Sequence, residues 1–148
     1  FTLRSLANNS FCSLSSKSSE TEKTVQKGLE DKVYFAGKQE NIRRYLSAMD
    51  VFLFPSVFEG VPFALIEAQA NGLACVMSEA VSEEAVVIPE RVRRLSLDKD
   101  NRQWAAAVMA MSSMNREAAD LIKMRLSDAH FNIETEAKRL KDLYYHTR

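Results

Sequence analysis

An excess of charge, a long apolar run and metal-ligand spacing are all missing from this chain, and each absence narrows what it does. Lys plus Arg and Asp plus Glu both number 20, so the formal net charge is zero. No global field draws the chain to nucleic acid or anionic lipid. The longest apolar run, Val51 to Phe58, is interrupted by Pro55 and Ser56 and falls far short of the ~20 residues that a membrane-spanning helix needs. The only cysteines are Cys12, in a Ser-rich stretch, and Cys75, in an apolar one. Neither has metal-ligand neighbours, and such usage fits a reducing cytoplasm. His130 and His146 have no Cys or second His at ligand spacing, so no metal is expected. Ser56 and Ser78 lack the Gly-x-Ser-x-Gly elbow of a nucleophilic serine. Phe1 to Leu14 has neither the basic start nor the continuous apolar core of a secretion signal. With Phe rather than Met at residue 1, the sequence reads as a piece of a longer product.

What is present suits one domain of 148 residues. From Asn8 to Glu22 the chain is mostly Ser, Asn, Lys, Thr and Glu and cannot repay the entropy of ordering, which predicts a disordered or poorly ordered lead-in over residues 1–22. Residues 23–148 form the expected domain. Short elements come first: a helix over Thr21 to Leu29 and a strand over Val33 to Ala36 closed by Gly37. Asn41 to Met49 carries Ile42, Tyr45, Leu46 and Met49 at helical spacing, and Asp50 to Phe54 is apolar on both faces, as a covered parallel strand must be. A helix opened by Pro62 and ended by Gly72 leads into a strand over Leu73 to Met77. Val86 to Ile88 and Val92 to Leu97 are expected as a last strand or two. Asp100 and Gln103 cap a helix over Trp104 to Met111, and helices over Arg116 to Ser127 and Ile133 to Tyr145 complete the chain. This alternation predicts an α/β fold, a Rossmann-like parallel sheet with flanking helices.

The most informative stretch runs from Phe54 to Gly72. It reads as a buried strand, a polar turn and a helix, with Glu59 in the turn and Glu67 inside the helix. At 100° per residue Glu67 falls about 40° from Phe63, on a stripe with Ile66 and Ala70 that is expected to face inward. Carboxylates accept hydroxyl donors, while the free N–H groups of a helix start meet negative charge. Ligands of open α/β sheets lie at the carboxyl ends of the strands, where this turn is placed. Gly60 lets the backbone come close to such a ligand. The plainer alternatives are a Glu67 that merely complements the helix dipole and a Glu59 that is only hydrated. Arg43 and Arg44, and Arg91, Arg93 and Arg94, are read as solvated faces, and Trp104, Met109 and Met111 as core.

With Glu59 and Glu67 in an E-x7-E pattern inside F-P-S-x-x-E-G-x-P-x-x-L-x-E-A-x-A-x-G, the chain resembles the retaining glycosyltransferases of family 4, in particular their exopolysaccharide-assembly members, over roughly residues 29–145. The resemblance implies the C-terminal, donor-binding half of a GT-B enzyme. It implies that Glu59 contacts hydroxyls of the donor sugar, that Gly60, Val61, Pro62 and Phe63 offer backbone amides to sugar and diphosphate, and that Glu67 holds the nucleotide ribose. No cofactor follows, since the nucleotide sugar is the substrate. The implied partners are that donor and a hydroxyl acceptor, saccharide or lipid-linked saccharide, with peripheral membrane association through the absent half. The departures are Ala74 in place of a Pro, and no counterpart to the upstream strand with its basic Arg and Lys or to the next strand with its Gly-Asp-Gly turn. Those strands belong between the ones resembling Val33 to Ala36 and Asp50 to Phe54, so the half is expected to be incomplete. A second reading stays open, a catalytically inactive fragment or subunit that needs a partner.

Overall fold

The computed structural model describes residues 2–5, 10–13 and 18–146, the side chains of residues up to 20 and of His146 excepted. The elements are β1 (Thr2–Ser5), β2 (Ser10–Ser13), α1 (Ser18–Gln26), β3 (Val33–Phe35), α2 (Ile42–Ala48), β4 (Val51–Phe54), α3 (Phe63–Ala70), β5 (Ala74–Ser78), β6 (Val92–Leu95), α4 (Asn101–Ser112), α5 (Ala119–Asp128) and α6 (Ile133–His146). Two 3-10 turns, Glu83–Ala85 and Pro89–Arg91, lie between β5 and β6. The strands make one sheet in the order β3-β2-β1-β4-β5-β6. β4, β5 and β6 run parallel, as do β2 and β3, while β1 is antiparallel to both neighbours. The α/β class and the helix-flanked parallel strands match the Rossmann-like architecture that was expected.

Two expectations meet in the middle of that sheet. Residues 1–22 carried the expectation of an unordered lead-in; within them β1 and β2 are strands and α1 begins at Ser18. The remainder of that stretch, residues 1, 6–9 and 14–17, lies outside the described residues. The place between β3 and β4, where the resemblance led to the expectation of two missing strands, is occupied by β2 and β1. The facing edges of β3 and β4 are rows of backbone donors and acceptors that demand a partner. That demand is a property of the sheet, and composition does not reveal it.

Helices cover the sheet on both sides. β4 and β5 alternate accordingly: Phe52, Phe54, Cys75 and Met77 pack with Leu46 of α2, with Met49 just after it, and with Leu65 and Ala68 of α3, while Val51 and Val76 meet Val108 of α4 on the other face. All five residues of β5 are buried, the mark of a strand covered on two sides. A third cluster, Ile66, Val87, Ile88 and Ile122, fastens α5 to the outside of α3. Trp104 and Met111 are half-buried against the second face, but Met109 is exposed rather than core. Asp100 caps α4 as expected, its Oδ1 accepting the Gln103 N–H at 2.8 Å in a reciprocal capping box.

Val86–Ile88 is not a strand. Gln69, fully buried on α3, takes the amides a strand partner would use: its Oε1 accepts from Val87 N at 2.8 Å and Ile88 N at 3.0 Å, and its Nε2 donates to Ala85 O at 2.7 Å and Leu65 O at 3.1 Å. One side chain thus does the work of a neighbouring strand. Arg91 corrects another expectation, since it is buried and donates to Asn115 O and to Glu117. Arg94, half-buried, pairs with Glu83 and donates to the carbonyls of Glu79 and Val81. Arg43, Arg44 and Arg93 are exposed.

Candidate functional site

β4 delivers the chain at Phe54 to a loop, residues 55–62, at its carboxyl end, and α3 departs from Phe63. The loop is tied down at its centre. Glu59 forms an isolated parallel bridge with Val81, beyond the end of β5, and the Ser56 hydroxyl lies 3.4 Å from both Glu59 Oε1 and Phe58 O. Glu59 is half-buried, and Gly60 is exposed. A Cβ at Gly60 would meet nothing within 4 Å, so the space in front of this turn is open. Val57, Phe58 and Phe63 are 77, 85 and 74% exposed. Pro62 is buried and stands just before the helix, not in its first turn; no side chain caps α3. Uncapped first-turn amides leave the positive end of the helix dipole available to an anion.

Glu67 faces the other way from the sequence expectation. Phe63, Glu67 and Ala70 are the exposed row of α3, and Leu65, Ile66, Ala68 and Gln69 are buried. The cause is that α3 is covered on more than one side: Leu65 and Ala68 by the sheet, Ile66 by α5, Gln69 by the segment Ala85–Ile88. Its apolar residues therefore run most of the way round, and the one open row is where the carboxylate projects. Glu67 lines a cavity of about 730 Å³ between α2, α3, α5 and the start of α6, together with Arg43, Leu46, Asn71 and Lys123. Glu59 is not on that wall. The structure thus places the two carboxylates on one loop-helix unit without bringing them into one cavity.

Arg43, expected as part of a solvated face, and Lys123, for which nothing was expected, line one cavity because α2 and α5 both pack against α3. Among the described residues no three His, Cys, Asp or Glu side chains form a metal-binding group, and no helix is long and apolar enough to cross a membrane. Cys75 is fully buried, and that burial pushes its thiol far above the ordinary range despite the opposing charge of Arg91. It is no nucleophile.

Residues 10–113 match the model of the family described as glycosyl transferases group 1. The chain belongs to this family. It is similar to EpsF of Bacillus subtilis (strain 168), 32% identical over 123 residues, which cover 83% of this chain and 32% of EpsF. The amylovoran biosynthesis glycosyltransferase AmsK of Erwinia amylovora is 36% identical over 121 residues, covering 73% of this chain and 28% of AmsK. A UDP-Gal:alpha-D-GlcNAc-diphosphoundecaprenol alpha-1,3-galactosyltransferase of Escherichia coli is 37% identical over 59 residues, 40% of this chain and 15% of that enzyme. The chain therefore spans about a third of the length of the first two relatives.

Proposed function

We propose that this chain is the donor-binding part of a cytoplasmic, retaining hexosyltransferase that moves a sugar from a nucleoside diphosphate to a hydroxyl of a saccharide or lipid-linked saccharide in polysaccharide biosynthesis. The observation that carries the proposal is the uncapped start of α3 behind an open, glycine-containing turn, with one carboxylate in the turn and the other on the helix's exposed row. Backbone N–H groups of Gly60, Val61, Phe63 and Ala64 suit a diphosphate, since the next amide, Leu65 N, is spent on Pro62 O at 3.0 Å, and Pro62 contributes conformation but no donor. Glu59 accepts hydroxyls of the donor sugar, and Glu67 accepts the ribose hydroxyls. The E. coli relative's name supplies a UDP-hexose as donor and a diphospholipid-linked sugar as acceptor, which supports the same chemical class here.

In this scheme the carboxylates orient and do not shuttle protons, and retention means that the acceptor oxygen enters on the face the diphosphate leaves. Catalysis then rests on positioning and on stabilising the departing charge. The α3 amides contribute to the second. The test is a titration with uridine diphosphate while the melting temperature is followed, because a ligand that binds only the folded state stabilises it by about 2.7 kcal/mol at a hundred times Kd. A rise for the native chain that is lost in Glu67→Ala is expected. No rise, or the same rise in the variant, overturns the assignment.

A further inference from the structure

The loop between α4 and α5 contains a side chain that the scheme above does not use. Arg116 reaches back across the molecule to the ends of two other helices. Its Nη2 donates to the carbonyls of Leu46 at 2.7 Å, Ser47 at 2.9 Å and Met49 at 2.6 Å, the last being the C-cap of α2. Its Nη1 donates to the backbone carbonyl of Asn71, the C-cap of α3, at 2.7 Å and to that residue's Oδ1 at 3.0 Å. Five acceptors converge on one guanidinium. Neither C-terminus carries a basic residue in its own last turn.

The last carbonyls of a helix have no intrahelical donor, and together they carry a partial negative charge. Here two such ends lie side by side and repel, and the backbone answers only part of each: Met49 N donates to Leu46 O, and Gly72 N and Leu73 N donate to Gln69 O and Ala68 O. A planar cation with several N–H groups in fixed directions answers both needs at once, and an ammonium, with three donors on a flexible stem, does so only in part. The same strand of backbone is held against α3 a second time, by Glu117 N, which donates to Gly72 O at 3.5 Å. Leu46, Ser47 and Asn71 line the cavity that Glu67 and Arg43 also line. What fixes the ends of α2 and α3 relative to one another therefore fixes the wall on which Glu67 stands.

We infer that Arg116 is a positioning residue for the nucleotide site, clipping α2 to α3 by their carboxyl ends and so setting where Glu67 is held. The inference rests on the ribose-binding reading of Glu67. Binding by the whole chain is measured at a temperature well below melting, with uridine diphosphate as the probe, for the native chain, Arg116→Gln, Arg116→Lys and Val108→Ala. The last variant is a stability control on the opposite face of the sheet. Amide exchange of the last turns of α2 and α3 is followed in parallel.

Arg116→Gln is expected to weaken binding about tenfold and to speed exchange at both helix ends together, with Arg116→Lys intermediate in both respects. Val108→Ala is expected to lower the melting temperature and leave affinity unchanged. Native affinity in Arg116→Gln, faster exchange at one helix end alone, or an equal loss of affinity in Val108→Ala overturns the inference. If Arg116→Gln does not fold, Arg116→Lys decides by the same criteria. If the native chain does not bind the nucleotide, the ribose reading falls, and the exchange experiment alone decides whether the clip exists.

Discussion

Replacing Gln69 tests whether a single buried amide stands in for a strand. In Gln69→Leu, the N–H groups of Val87 and Ile88 lose their acceptor and Ala85 O loses its donor, and all three residues are buried. Leaving a buried polar group unsatisfied costs about 1–3 kcal/mol. Three such groups, with relaxation of the Ala85–Ile88 segment returning part, give a loss of about 3–6 kcal/mol, a large share of the about 5–15 kcal/mol that holds a domain together. Gln69→Glu is nearly isosteric and separates shape from hydrogen bonding. An ionised carboxylate there still accepts from Val87 and Ile88, but its second oxygen confronts the carbonyls of Ala85 and Leu65, so the folded state favours the protonated acid and raises its pKa above the unfolded value. An acid with a raised folded pKa releases its proton more readily on unfolding. The penalty is therefore absent below the unfolded pKa of about 4.3 and grows as pH rises toward the folded pKa. Urea unfolding across a pH series, with the native chain subtracted at each pH, reads both effects: a pH-independent loss for Leu and a loss that deepens with pH for Glu. A Leu variant within about 1 kcal/mol of native, or a Glu variant whose deficit does not change with pH, refutes the argument that these bonds replace a strand.

Gly72→Ala is expected to cost about 1–2 kcal/mol from the left-handed backbone alone, since φ is +73°, and more because the new Cβ would sit 3.0 Å from Ile122 Cδ1 and 3.2 Å from Glu117 O. An unchanged urea midpoint would contradict that geometry. In a Cys12→Ser background, Cys75 is expected to react with a disulfide reagent only as fast as the chain unfolds, because its thiol is buried and its pKa raised; rapid labelling in native buffer would count against it.

Local chemistry was legible where one element decides it alone. The doubly apolar strands β4 and β5 and the Asp100 to Gln103 box announce themselves because their partners are either periodic or three residues away. Failures fall where a distant group decides. Val86 to Ile88 has strand-like residues, but Gln69, on α3, claims its amides. Arg91 looks like surface charge, and it is buried because Asn115 and Glu117 meet it from 24 and 26 residues away. The helix expected from Arg116 begins only at Ala119, since the Arg116 guanidinium and the Glu117 amide are both committed to the ends of α2 and α3 and their neighbours.

Glu67 shows how a wrong orientation bears on a site. Its inward placement was a reason to demand partners for it, and the structure removes that reason by setting it on the exposed row of α3. A carboxylate buried among protein donors would have had its lone pairs spent on the fold, and a ligand hydroxyl would have had to displace them at the desolvation cost of each. An exposed one on the wall of a cavity keeps those lone pairs for whatever enters. The warrant for ligand contact therefore passes from burial to access, and it then depends on how rigidly α3 is held. That is why the binding reading and the Arg116 clip stand as separable claims: one concerns what Glu67 accepts, the other whether it is in place to accept it.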